Sequence, residues 1–221
     1  MATVAAVIAS THHPFYYRAS TATGEDRPPF ADEWAAKIEA FRETLTTSRP
    51  DVLVMVGSDH FHQLWLDNMP QFLIGKAPFY DANFYNEERE FGLPRMFVHG
   101  REDLSAYLLR EGMDAGFDLA FSNELPIDHS ITCPLITLRP QADLPIVPIY
   151  TNIFAPPLRR PKRLGATTSC FLPYSSHCSN AIMTSRWHSS VSSPHGSATG
   201  HCHIPTSQPS GPGITRRQLS W

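Results

Sequence analysis

The sequence predicts an α/β protein in which a largely parallel central sheet is flanked by helices. Three observations support this: continuous apolar runs of strand length at 3–9 and 52–56, a helical pattern between them, and further strand and helix patterns up to residue 149. Strands buried on both faces read as unbroken apolar runs, and strands that alternate with helices favour parallel pairing.

The first predicted strand is TVAAVIA at 3–9, and the second is VLVMV at 52–56. The helix predicted between them has its apolar residues at helical spacing, namely Trp34, Ile38, Phe41 and Leu45. Asp32 is available to cap its N-terminus and Pro50 to end it.

Further along the chain, QFLI at 71–74 and the short runs at 119–121 and 146–149 predict three more strands. A helix is predicted from Glu102 to Ala115, with its apolar side chains facing the sheet. These are Leu104, Tyr107 and Leu108.

The composition limits the classes of function. The chain has 221 residues, so a single domain is the default, and a net charge of −3 gives no reason to expect a nucleic-acid or membrane partner. The apolar N-terminus, MATVAAVIAS, has no basic residue before it and is too short to span a bilayer. We therefore expect a cytoplasmic protein.

The composition changes at residue 165. All 21 Asp and Glu residues precede it, whereas 165–221 contains 13 Ser, five of the 11 His and three of the four Cys. We expect residues 1–164 to form the folded part and 165–221 to be a low-complexity tail. A natural disordered extension and an out-of-frame translation both remain open, and the mixture of Cys, His and Trp with Ser and Pro favours the second.

Three histidine-bearing segments follow strand-like runs or lie close behind them. His12 follows the first strand, His60 follows the second, and His129 comes soon after the run near Leu119. Ligands of open α/β sheets bind beyond the carboxyl ends of strands, and imidazoles suit iron, zinc or copper. The three segments therefore predict a metal site at one edge of the sheet.

A single loop histidine is more often a surface or hydrogen-bonded core residue than a ligand. On this ground His99 is interpreted as structural, and His13 and His62 as exposed or supporting neighbours of the stronger candidates. Two classes of function are open for such a site: a zinc hydrolase, which would need a third ligand such as Asp59 or Glu124, and a binding protein without catalysis.

Four motifs resemble the class III extradiol ring-cleavage dioxygenases. The segment THHP at 11–14 is similar to the family's Ser-His-x-Pro, and PDVLVMVGSDH at 50–60 to its apolar strand ending in Asp-His. The segment DNMPQFLIG at 67–75 and the segment DHSITCPL at 128–135 are similar to two further family segments. The resemblance covers about residues 3–164, as the N-terminal part of a catalytic domain.

The resemblance implies a function and roles for particular residues. It makes His12 and His60 ligands of Fe(II), and His129 an active-site acid or hydrogen-bond donor. Asp128 is then either a supporting residue that orients a neighbouring group or a turn or cap residue. The implied reaction opens a catechol-type ring beside the diol and places both atoms of O2 in the product. Homo-oligomers, with or without a small partner subunit, are also implied.

Two departures from the family pattern matter. The family's third iron ligand is a Glu in a later part of the chain, and its base is a His in a Gly-Gly-x-Ser-His segment. This chain has no carboxylate after Asp143 and no matching segment. We therefore hypothesise that the chain is impaired as an enzyme, because loss of a base costs about 100-fold or more in rate.

Overall fold

The computed structural model describes residues 2–156 and 179–187. Its strands there are β1 (Ala2–Thr11), β2 (Val52–Gly57), β3 (Phe72–Gly75), β4 (Phe79–Ala82), β5 (Met96–His99), β6 (Ala120–Ser122), β7 (Ile146–Thr151) and β8 (Ser179–Trp187). Its α-helices are α1 (Pro14–Thr21), α2 (Ala31–Ser48), α3 (Tyr85–Phe91), α4 (Glu102–Asp114) and α5 (His129–Leu138). The predicted α/β fold, a central sheet flanked by helices, is confirmed.

The central sheet has six strands in the order β1-β8-β2-β7-β3-β6, and β4 pairs with β5 in a separate hairpin. Strands β2 and β7 are parallel, and β8 runs antiparallel between β1 and β2. Strands β1, β2 and β7 therefore share one direction, so their carboxyl ends meet at one edge. Strands β3 and β6 form a second parallel pair that runs opposite to β7.

Helices cover both faces of the sheet, which explains the unbroken apolar strands. Leu53 and Met55 of β2 pack in one apolar cluster with residues of α2 and α5. Val52 and Val54 point the other way and pack with Leu104 of α4 in a second cluster. Because neighbouring side chains of a strand alternate between faces, both faces need apolar residues.

Two details of the predicted helices were wrong. Asp32 does not cap α2, because Phe30 holds the N-cap position and Asp32 lies in the first turn, where it pairs with Arg27 at 2.7 Å. Tyr107 of α4 is 37% exposed, whereas Leu104 and Leu109 are buried. The other apolar residues predicted for these two helices lie in the core clusters or pack against them.

The tail predicted at 165–221 lies partly within the described residues. Ser179–Trp187 forms β8, which the composition of the tail did not predict. The remainder of the tail, at 165–178 and 188–221, lies outside the described residues. In the part of the chain that is described, no helix combines the length and apolarity that a membrane crossing requires.

Candidate metal centre

The carboxyl ends of β1 and β2 bring two imidazoles together. His12 directly follows β1, and His60 lies three residues after β2 ends. Their Nε2 atoms are 3.2 Å apart, and their ring centroids are 5.0 Å apart. The two predicted ligands, separated by 48 positions in sequence, are therefore adjacent in space.

The third imidazole comes from a helix, not from the loop that the sequence suggested. His129 is the first residue of α5, and Asp128 caps this helix by accepting the Ser130 N–H at 3.1 Å. The His129 ring stacks on His60 with centroids 4.2 Å apart, and it lies 6.0 Å from the His12 ring. One ring nitrogen from each of the three histidines lies within 4.8 Å of the others.

Asp128 fixes the orientation of His60. This carboxylate is fully buried, and its Oδ2 accepts the backbone N–H of His60 at 3.2 Å and contacts the ring Nδ1 at 2.8 Å. Burial raises the pKa of Asp128, but the hydrogen bond from His60 and the charges of the two histidines outweigh it, so the net pKa is lowered. An ionised carboxylate only accepts hydrogen bonds, so Nδ1 of His60 donates to Asp128, and Nε2 is the ring nitrogen that faces His12.

The second oxygen of Asp128 is also engaged. Ser130 Oγ donates to Oδ1 at 2.6 Å, and the Tyr150 hydroxyl lies 3.3 Å from the same atom. Tyr150 is itself buried, and burial raises its pKa well above the ordinary range. The Asp128 carboxylate is thus fixed by groups from α5 and β7.

His129 has its own carboxylate partner, which the sequence did not indicate. Glu87, in α3, is fully buried and its Oε1 lies 2.5 Å from the His129 Nδ1. Burial lowers the pKa of His129, but Glu87 and the charge of Asp128 outweigh it, so its net pKa is raised. No local pattern marks Glu87, because its contact with His129 spans 42 positions.

Asp59 shapes the loop that carries His60. It is buried, and its Oδ2 accepts the backbone N–H groups of His62 (3.1 Å), Gln63 (3.4 Å) and Leu64 (3.0 Å). Burial is also the main cause of a raised pKa at Asp59. Neither Asp59 nor the exposed Glu124 joins the histidine group within the described residues, so neither is placed to be the third ligand considered for a hydrolase.

The other histidines lie outside this group. His99 is in the β4–β5 hairpin, where its ring contacts Phe79 at 4.8 Å. His13 packs against Phe15 and Tyr16 of α1. His62 lies closer to the histidine group, because its Nδ1 is 3.6 Å from Oε1 of Glu87, which contacts His129. This position is the one expected of a supporting neighbour.

An aromatic wall, defined as Phe61, Trp65 and Phe154, borders the site. Phe154 contacts the ring of His60 at 5.8 Å and that of Phe61 at 5.2 Å, and Phe61 contacts Trp65 at 6.1 Å. Phe61 has a φ of 57°, an uncommon backbone conformation for a bulky residue. Trp65 and Phe154 are exposed, whereas Phe72 is buried in β3 and belongs to the core.

The donor set fits a transition metal. Two atoms that each lie about 2.1 Å from one ion can be 3.2 Å apart, so the His12 and His60 Nε2 atoms suit a shared ion. Neutral imidazoles with oriented lone pairs are ligands for iron, zinc or copper. Among the described residues, His129 and no carboxylate completes the group around these two histidines.

Comparison with known proteins identifies the family of this chain. Residues 6–171 match the model of a family described as the catalytic LigB subunit of aromatic ring-opening dioxygenase. A 2,3-dihydroxyphenylpropionate/2,3-dihydroxicinnamic acid 1,2-dioxygenase of Azotobacter vinelandii is 32% identical over 141 residues, which are 62% of this chain and 41% of that protein. Its counterpart in Cupriavidus necator is 30% identical over 150 residues, 64% of this chain and 46% of that protein.

The chain spans less than half the length of these relatives. The family model nevertheless covers more than half of the chain and includes His12, His60 and His129. On this match, the chain belongs to the LigB family of catalytic subunits of aromatic ring-opening dioxygenases.

Proposed function

We propose that this chain contributes the metal-binding site of an extradiol ring-cleavage dioxygenase that acts on catechol-type aromatic compounds with Fe(II) and O2. Residues 1–164 are the proposed N-terminal part of its catalytic domain. The family match and the names of the relatives, which refer to dioxygenases of dihydroxylated phenylpropionate, support the reaction class. A dihydroxylated aromatic ring is accordingly the proposed substrate.

The observation that carries the proposal is the convergence of His12, His60 and His129 at one edge of the sheet. His12 and His60 are the proposed ligands of the metal, and their 3.2 Å separation supports that role. Bound there, Fe(II) would supply positions for the two ring oxygens and O2 and pass electron density between them. Asp128 would keep the Nε2 lone pair of His60 directed at the ion.

His129 is the proposed acid or hydrogen-bond donor. Its raised pKa favours the protonated ring, and its stacking on His60 places it beside the proposed metal ligands. A group that gives or shares a proton must lie within hydrogen-bond reach of the substrate. His129 would meet this requirement, because the substrate would bind at the metal beside His60. The aromatic wall would hold the substrate ring next to it and limit access of water.

The proposed activity of this chain on its own is low. No carboxylate follows Asp143 in the sequence, and no Gly-Gly-x-Ser-His segment is present, so the third ligand and the base implied by the family resemblance are missing. Two imidazoles hold an ion less firmly than two imidazoles and a carboxylate. Loss of the base alone costs about 100-fold or more.

Oxygen uptake and product formation test this proposal. The chain is loaded anaerobically with Fe(II), mixed with 2,3-dihydroxyphenylpropionate or protocatechuate, and exposed to O2. We expect saturable iron binding that depends on His12 and His60, with turnover that is barely detectable. Robust formation of yellow ring-fission product would refute the impaired state, and a protein that binds no iron would refute the proposed function.

The proposed compartment is the cytoplasm, and the proposed assembly is a homo-oligomer, with or without a small partner subunit. Several large apolar side chains are well exposed, among them Leu66 and Phe97, each at 75%. Exposed apolar surface favours association. Light scattering on the purified chain would show a mass that is a multiple of 24.7 kDa, whereas a monomer at all concentrations would contradict the assembly.

A further inference from the structure

Glu87 is a buried acid whose position is not explained by helix formation alone. It lies in the first turn of α3 and its Oε2 accepts the backbone N–H of Phe84 at 3.2 Å, a contact that a surface carboxylate could also make. Glu87 is instead fully buried. Burying a carboxylate is costly unless it is hydrogen-bonded, so the other contacts of Glu87 must compensate for its burial.

Those contacts lead to His129. Glu87 Oε1 accepts the backbone N–H of His129 at 3.0 Å and lies 2.5 Å from the ring Nδ1. The Nδ1 of His62 is 3.6 Å from the same oxygen, too far for a hydrogen bond but close enough for attraction to its charge. Both oxygens of Glu87 therefore face donors, which is the arrangement of an ionised carboxylate.

The same arrangement occurs at His60. There Asp128 Oδ2 meets both the backbone N–H and the ring Nδ1, at 3.2 and 2.8 Å. In each pair, a single oxygen of a fully buried acid holds the backbone and the ring of one histidine. Glu87 in α3 and Asp128 at the start of α5 therefore bind two different histidines in the same way. The rings of these two histidines stack with their centroids 4.2 Å apart.

We propose that Glu87 is a positioning residue for His129, which fixes the ring with its proton on Nδ1 and leaves Nε2 to act in the site. Because the ionised acid accepts only, Nδ1 must donate, and the two hydrogen bonds to one oxygen prevent the ring from turning about its side-chain bonds. A histidine held in this way offers the same nitrogen to every substrate molecule. The part played by Nε2 rests on the proposed function, whereas the proton position does not.

The proton position can be read directly by nuclear magnetic resonance. The full chain is labelled with ¹⁵N-histidine, kept free of metal, and studied by long-range ¹H–¹⁵N correlation at a pH where the imidazolium signals have disappeared. The His129 and His60 signals are assigned from the variants His129→Gln and His60→Gln. We expect His129 in the Nδ1–H form, as His60 should be, and a predominant Nε2–H form of His129 would overturn the proposal.

The variant Glu87→Ala tests the cause. We expect the His129 signal to shift to a mixture of both tautomers while the His60 signal is unchanged. Glu88→Ala is the matched control, because Glu88 is the adjacent acid of α3 and is exposed, and it should leave both signals as they are. An unshifted His129 signal in folded Glu87→Ala would overturn the proposal, and if that variant fails to fold, the spectrum of the unaltered chain decides alone.

This experiment separates the two proposals. No metal or substrate is present, so a chain that binds no iron can still show the Nδ1–H form of His129. Conversely, a chain that binds iron through His12 and His60 can show the other tautomer. The first result would refute the proposed function only, and the second would refute the role of Glu87 only.

Discussion

A single oxygen atom of Asp128 contacts both the backbone nitrogen and the ring Nδ1 of His60, across 68 positions of sequence. The contact joins the N-terminus of α5 to the loop after β2. It turns the Nε2 of His60 towards His12, and it does so from a carboxylate whose other oxygen is held by Ser130 and Tyr150. The orientation of His60 therefore depends on an acid that is not itself a member of the three-histidine group.

Replacing Asp128 should weaken metal binding more than it weakens the fold. In Asp128→Asn the amide retains one acceptor and loses the charge that favours the Nδ1–H form of His60. Partners of this kind typically contribute 10–100-fold in metal affinity, so we expect a loss of about that size for Fe(II) measured anaerobically by equilibrium dialysis. The control Asp143→Asn removes an exposed acid from the segment between α5 and β7 and should bind iron normally. Equal affinities for the two variants would contradict the role of Asp128.

Gly57 of β2 packs directly against the start of α5. A Cβ at this position would lie 2.7 Å from Ser130 Oγ and 3.0 Å from Ile131 Cδ1. We expect Gly57→Ala to lower the free energy of unfolding in urea by about 1–3 kcal/mol, the usual cost of overpacking, and to displace Ser130 from Asp128. In the control Gly112→Ala, the atoms within 4 Å belong to one side chain, that of Leu119, which can move. A Gly57→Ala variant of unchanged stability would show that the contact between β2 and α5 is looser than described.

The aromatic wall should contribute to binding of the substrate ring. Aromatic pairs are worth about 0.5–1.5 kcal/mol, so Phe154→Ala should weaken binding of 2,3-dihydroxyphenylpropionate about 2- to 10-fold under anaerobic conditions. Trp65, which is exposed beside Phe61, provides a fluorescence signal for binding. The variant Trp65→Phe shows how much of the total tryptophan fluorescence change comes from Trp65. The control Phe97→Ala removes an exposed ring from the β4–β5 hairpin. If Phe154→Ala and Phe97→Ala bind the substrate with equal affinity, the aromatic wall is not part of the binding site.

The sequence predicted which histidines lie together better than it predicted the elements that carry them. The meeting of His12 and His60 could be predicted because each follows an apolar strand, and the ends of strands that share a direction meet at one edge. The helix α5 was missed, because its ten residues are all buried and show no polar face from which a helical period could be read. His129 was therefore expected on a loop, although its place beside His60 was anticipated.

Contacts between distant residues could not be derived from the sequence. Glu87 looks like one of three acids in the polar stretch at 87–90, and only the packing of α3 against the site distinguishes it. Phe154 likewise gives no local signal. The antiparallel strand β8 was not predicted either, since it lies in a segment whose composition is unlike that of an ordinary buried strand.

Cys133 should be unreactive while the chain is folded. It lies in α5 and burial raises the pKa of its thiol to about 12, so very little thiolate exists near neutral pH. We expect iodoacetamide at about pH 8 to leave the peptide containing Cys133 unlabelled in the folded chain, and to label it fully in urea, where the thiol has its ordinary pKa of about 8.5. Rapid labelling in the absence of urea, detected by mass spectrometry, would contradict the buried position of α5.

The most direct test of the account is an anaerobic titration of the chain with Fe(II), followed by equilibrium dialysis. We expect one saturable site in the unaltered chain, no saturable binding in His12→Ala or His60→Ala, and unchanged binding in His99→Ala, whose ring lies in the β4–β5 hairpin. Iron binding that survives the loss of both His12 and His60 would contradict the central claim, namely that imidazoles at the ends of β1 and β2 hold one ion.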